Sequence, residues 1–179
     1  MNEGGEFAAR GAATAKDSQP PYGGRGAFGD RVFMGVFRLE LEKVRQWVLG
    51  YPGAELLEKI WVDYHPGRPG DGRLAPEGVT EVSRREDILG NVTVVVRYEF
   101  AVWFVLPRGD DRDALDNAQW VLGFQEWVRE QDLLGLAPRF GQEQVVRAQE
   151  GRLEKADVEG TAAYAVELSF EFKKGYEVS

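Results

Sequence analysis

The chain of 179 residues has no cysteine and a single histidine, His65. Disulfide staples, zinc–thiolate sites and cysteine nucleophiles are excluded, and so are histidine-rich metal sites. No run of about 18 apolar residues occurs, so no helix is expected to span a membrane. The first residues show no basic start followed by an apolar stretch, so no secretory signal is read and a cytoplasmic location is expected. Positive charge is also scarce, with 22 Lys and Arg against 30 Asp and Glu, a formal net charge of -8. Specific nucleic-acid binding needs a basic patch and is not expected, because an acidic surface repels a phosphate backbone.

Apolar residues are plentiful, at 43% hydrophobic and 12% aromatic, enough for the core of one domain. Residues 1–35 differ from the rest. They hold eight of the 22 glycines, and Glu3, Glu6, Asp17 and Asp30 balance Arg10, Lys16, Arg25 and Arg31. Such a segment buries too little apolar surface to offset its ordering entropy. It is expected to be a flexible or partner-ordered N-terminal extension, with Phe28, Val32, Phe33 and Phe37 as anchors. Gly24, Gly26 and Gly29 match G-x-G-x-x-G, but "DSQPPY" before them is no strand, so a dinucleotide site is not expected. Residues 36–179 carry the whole acidic excess and read as a single domain.

Phe37, Leu41, Val44 and Val48 recur at helical steps and predict a helix over about 39–49, ended by Gly50 and Pro52. Ile60, Val62 and Tyr64 predict a strand. His65–Gly78, rich in glycine and proline, predicts a long partner-contacting loop, with a weak strand at 79–83. Over 92–106 every even position is apolar, a period of two that predicts a long strand. Trp103 and Val105 stand on its odd face, covered either by another subunit or by a helix. "PRGDDRD" supplies a turn and then helix-capping acids. Trp120, Phe124 and Trp127, with Leu115, Ala118, Val121, Leu122 and Val128, predict a helix pressed on a sheet. Gly135 and Pro138 end it. Residues 162–172 alternate again and pair with 144–156 as a hairpin, bulged near Gly151. The fold class is α+β: an antiparallel sheet with helices packed on one face, plus the flexible extension.

Candidate chemistry is sparse. His65 beside Asp63 could act as an oriented base, but no nucleophile or oxyanion donor accompanies it. "GDDRD" lacks the spacing of a calcium loop. Glu99, Glu167 and Glu171 read as an outward polar face. Arg68 and Arg73 could hold an acidic partner by bidentate contacts. No catalytic residue, metal or cofactor is expected. Phe33, Arg68, Arg73, Trp103 and Val105 are the candidate subunit or partner contacts.

The runs "WVDYHPGRPGDGRLAPEGVTEVSRREDILGNVTVVVRYEFAVWF", "DNAQWVLGFQEWVREQDLLGLAP" and "GTAAYAVELSFEFKKGYE" resemble tail terminator, or tail completion, proteins of tailed bacteriophages and prophages. The resemblance covers about residues 37–178, and N-A-Q-W…F-x-x-W-(V/L)-x-x-Q at Asn117–Gln131 is its most specific part. It implies a virion structural protein rather than an enzyme. Such proteins form a hexameric ring that caps the tail tube, stops its polymerisation and joins it to the head. The implied partners are copies of itself, the tail tube protein and the head–tail connector protein, with DNA passing through unbound. The implied location is the head-proximal end of the tail, after assembly in the host cytoplasm. Another head–tail joining or tube-like subunit of the same particle is the alternative, and a small enzyme using His65 a third reading.

Overall fold

The period-two run becomes the central strand of a five-stranded sheet in the computed structural model, which describes residues 40–64, 67–157 and 160–177. The elements are helix α1 (40–49), a 3-10 turn (Pro52–Leu56), β1 (Lys59–Val62), β2 (Asp71–Glu86), β3 (Val92–Pro107), α2 (Asp111–Leu133), β4 (Gln142–Asp157) and β5 (Thr161–Tyr176). The strand order is β1-β2-β3-β5-β4. Four of the strands have 16 residues each, about 50 Å when extended. The α+β class with helices on one face is as expected from the sequence.

The core forms between the even face of β3, the matching face of β5 and the two helices. Val102, Phe104, Leu106, Val166, Leu168 and Phe170 meet Val44 and Val48 of α1 and Val121, Phe124 and Val128 of α2, all but fully buried. Each such side chain contributes about 1.5–3 kcal/mol by leaving water. Asp110 caps α2, its carboxylate accepting from Asp113 N–H at 3.0 Å, while Asp113 accepts from Gly109 N–H at 2.6 Å. The helix closes with Gly135 at φ +66° and N–H bonds from Leu136 to Gln131 O and from Gly135 to Asp132 O. This is the Schellman arrangement that the glycine foretells. The β4–β5 hairpin is also as read, with shifts after Gln142 and Gln149 where Glu143 and Glu150 adopt positive φ.

Four expectations are corrected. The sheet is mixed, since β1 pairs parallel with β2. Its connection is shorter than the dozen or so residues usual for parallel strands, and it turns back through Asp63, Gly67 and Gly70, all at positive φ. Asp63 thereby ends β1 before Tyr64. The long loop His65–Gly78 stops at Gly70, because Asp71–Gly78 belong to β2. Gly72 is needed where Ile60 Cγ1 would lie 3.0 Å from a Cβ, and Pro76 and Gly78 flank a bulge; all three therefore look like loop in sequence. Finally, Leu115, Ala118 and Leu122 on α2 are exposed, so the buried stripe is narrower than the apolar positions suggest.

Candidate subunit interface

The aromatic stripe of α2 is structural. Phe124 is fully buried, and its ring centroid lies 5.0 Å from Phe104, 5.4 Å from Tyr51 and 5.9 Å from Trp127. Trp47 stacks on Trp127 at 5.0 Å. Trp120 Nε1 donates to Gly53 O at 2.9 Å, and Asn117 Nδ2 donates to Pro107 O at 2.8 Å. Asn117 and Trp120 of the N-A-Q-W motif therefore tie α2 to the end of β3 and to the 3-10 turn. Burial alone raises the Tyr51 phenol above its ordinary value.

Of the expected contact residues, Arg73 and Trp103 are brought together on the helix-free face. The Arg73 guanidinium lies 4.3 Å from the Trp103 ring centroid, and Lys59 Nζ lies 3.6 Å from that of Trp61. Trp61, Arg73 and Trp103 are neighbours across β1, β2 and β3, so cations and indoles alternate across the sheet in cation–π contact. Asp71, which sequence reasoning missed, is buried and accepts from Trp61 Nε1 at 3.2 Å and from Arg68 N–H at 2.9 Å. The Arg68 side chain is exposed. Val105 is only 2% exposed, and its carbonyl accepts from Gly70 N–H at 2.9 Å. Trp103 is half-buried beside Arg73. Of the apolar tip expected at Trp103 and Val105, Val105 is thus closed within the chain, while Trp103 keeps part of its indole in solvent. Phe33 and His65 lie outside the described residues.

The open apolar surface lies elsewhere. From Pro76 to Glu86 every residue of β2 is exposed. Beyond Leu74 the outer edge of β2 has no strand partner among the described residues. This arm ends in a built turn. Asp87 accepts from Leu89 N–H, Asn91 N–H and Asn91 Nδ2, each at 2.9 Å, and Gly90 takes φ +86°. The bonds from Asn91, side chain first, hold the Asp87 carboxyl below the ordinary aspartate value. At the apex Ile88 is fully exposed and Leu89 is 76% exposed. The signal in sequence is "EDILGN", two apolar residues inside a turn motif.

A second apolar surface lies between α2 and β4. Ala118, Val121, Leu122, Gly151, Leu153 and Tyr164 line a groove of about 410 Å³. Tyr164 and Tyr176 stand at opposite ends of β5, about 40 Å apart, so groove and arm tip occupy opposite ends and opposite edges of the sheet. Among the described residues, no three or more His, Asp or Glu side chains are placed to hold a metal ion. No described helix is long and apolar enough to cross a membrane. No protein-family model and no curated protein matches the chain.

Proposed function

We propose that the chain is a self-assembling structural subunit, a tail terminator whose ring caps a phage tail tube, stops its growth and joins it to the head connector. One observation carries the reading: a rigid turn holds Ile88 and Leu89 in solvent at one end of the molecule, while an apolar groove of matching kind lies at the other. Two unlike patches on one chain favour heterologous, head-to-tail association, which closes into a ring when the rotation permits. The resemblance along 37–178 supplies the particle. The β2 edge does not serve as the joint, because Pro76, two bulges and the charges of Glu81, Arg84, Arg85 and Glu86 guard it against strand addition.

The test is complementation. Ile88→Asp and Leu122→Asp each damage one patch. Each variant alone is expected to be monomeric in light scattering, and the mixture to yield a one-to-one dimer joined by the remaining intact pair. Electron microscopy of the unmodified chain should show single rings, and added tail tubes should stop growing. Unmodified chain that stays monomeric and leaves tube length unchanged refutes the proposal. Long hollow fibres instead of single rings favour the tube-like alternative.

A further inference from the structure

The helix-side face of the sheet continues past the point where the helices stop. Beyond Tyr98 its side chains run through Val96, Val94 and Val92 on β3, beside Val79 on β2 and Tyr176 on β5. With Glu81 and Arg84, paired at 3.0 Å along one rim, they enclose an open groove of about 500 Å³. Its walls, Val79 and Tyr176, are each 55% exposed.

The N-terminus of α1 is placed beside this groove. Val94 stands opposite Lys174, and Lys174 Nζ donates to the Tyr98 hydroxyl at 2.9 Å. Burial pulls the Lys174 pKa down, but the Tyr98 bond and the nearby charges of Tyr98 and Glu40 outweigh it, so Glu40 lies within electrostatic reach. From Glu40 the helix runs toward Trp47, which meets Phe170 edge-on at 5.7 Å, further inside the sheet. Glu40, the first described residue of α1, therefore lies toward the Val92–Val96 end. The sequence before it contains Val32-Phe33-Met34-Gly35-Val36-Phe37, six residues without a charge. Extended, six residues span up to about 20 Å, and Val92–Val96 covers about 13 Å.

We propose that the groove is the seat of the chain's own Val32–Phe37 segment, with Phe33 on its Val92–Val96 floor. The extension then straps the base of the arm within one subunit and covers the half-buried Val92 and Val96. This requires no second copy and stands whether or not the ring reading holds.

The absence of native cysteine makes the test direct. In the full chain, Met34→Cys is combined with Glu81→Cys on the groove rim, and Ala13→Cys with Glu81→Cys serves as the control. Both pairs are oxidised at two protein concentrations. The shorter tether of the Met34 pair, about 6 residues to Glu40 against about 27 for Ala13, by itself gives roughly tenfold faster closure. Seating in the groove is expected to raise that ratio to about a hundredfold or more. The rate should not depend on protein concentration. Adding Phe33→Asp should bring the ratio back to the roughly tenfold of tether length alone. A ratio no greater than that for the unmodified segment, insensitivity to Phe33→Asp, or product only between chains overturns the proposal; the last would give the groove to a neighbouring copy's extension.

Discussion

Replacing Phe124 by Ala removes the ring on which α1, the 3-10 turn and β3 converge. The side chain is fully buried against Phe104 at 5.0 Å, Tyr51 at 5.4 Å, Trp127 at 5.9 Å and Trp120 at 6.3 Å. Truncating a buried Phe costs about 3–5 kcal/mol, depending on how far the site can collapse. Here the neighbours are themselves anchored, Trp120 through Gly53 O and Tyr51 through Trp120 O at 3.3 Å. Collapse is restricted, and about 4 kcal/mol is expected. Natural domains hold only about 5–15 kcal/mol in total, so the variant should be close to unfolding. Leu133→Ala on the same helix, away from the groove, is the control. Leu133 is 74% exposed and should change stability by no more than about 0.5 kcal/mol. Urea unfolding followed by tryptophan fluorescence measures both, with unchanged m-values required for the comparison. A loss below about 1 kcal/mol for Phe124→Ala, or equal losses for the two variants, would refute the assignment of the aromatic stripe to the core.

Two further substitutions test the geometry more locally. A Cβ at Gly53 would lie 2.5 Å from Tyr51 Cε1 and 2.7 Å from Trp120 Nε1, so Gly53→Ala should cost about 1–3 kcal/mol by overpacking; a neutral effect in the same urea assay would show that the rings are not held there. Glu77 is raised above the ordinary carboxylate value by desolvation first, then by Glu167 and Glu99, with Arg152 opposing. The folded state thus binds this proton more tightly than the unfolded chain, so stability declines as pH rises from the ordinary 4.5 through the raised folded value. Glu77→Gln should therefore raise the unfolding free energy at pH 7, read in the same urea assay, by at most about 0.5 kcal/mol because the side chain is exposed. It should do nothing below about pH 4, where the carboxyl is protonated in both states. A gain at low pH or a loss at pH 7 would contradict the electrostatics.

Where a single period dominates, sequence and structure agree. Val92–Leu106 alternates because one face of β3 meets the helices, and Trp120, Phe124 and Trp127 recur because α2 lies across that face. Where several demands share one residue, the pattern is hidden. Gly72, Pro76 and Gly78 look like loop because a close approach to Ile60 and a bulge require glycine or tolerate proline inside β2. Trp103 and Val105 look like an exposed tip because the Arg73 contact and the β1–β2 crossover join distant residues. Asp71 carries no local signal, as its partners Trp61 and Arg68 meet it only once β1 and β2 pair in parallel. Ile88 and Leu89 passed unnoticed in sequence, because two apolar residues in a turn do not by themselves mark the end of an arm. That required knowing that β2 runs for 16 residues and leaves the core after Ala75.

The same geometry bears on which face of the proposed ring meets DNA. Helix α2 carries six acids against two arginines, but its Ala118 and Leu122 line the groove assigned to the neighbouring subunit, which turns α2 toward the joint. In a ring joined through that groove, the helix-free sheet face would be left for the bore. That face is not acidic throughout; Lys59, Arg73, Arg97, Arg147, Arg152 and Lys173 all stand on it, Lys59 and Arg73 against indole rings. Three of these are held by carboxylates: Arg97 by Glu171 at 2.7 Å, Arg152 by Glu150, Glu154 and Glu167, and Lys173 by Glu143. Cations already paired offer little to a passing phosphate backbone, whose attraction depends on free charges that can replace counterions. Glu171→Gln removes the partner of Arg97 and should alter stability by no more than about 1 kcal/mol, since the pair is partly solvated. If the sheet face lines the bore, assembled rings of this variant should retain duplex DNA at about 50 mM salt and release it as salt rises, with a binding slope steeper by about 0.9 for each freed arginine that meets a phosphate. Unassembled subunits should show no such gain. Variant rings that pass DNA as freely as unmodified ones would place this face away from the channel.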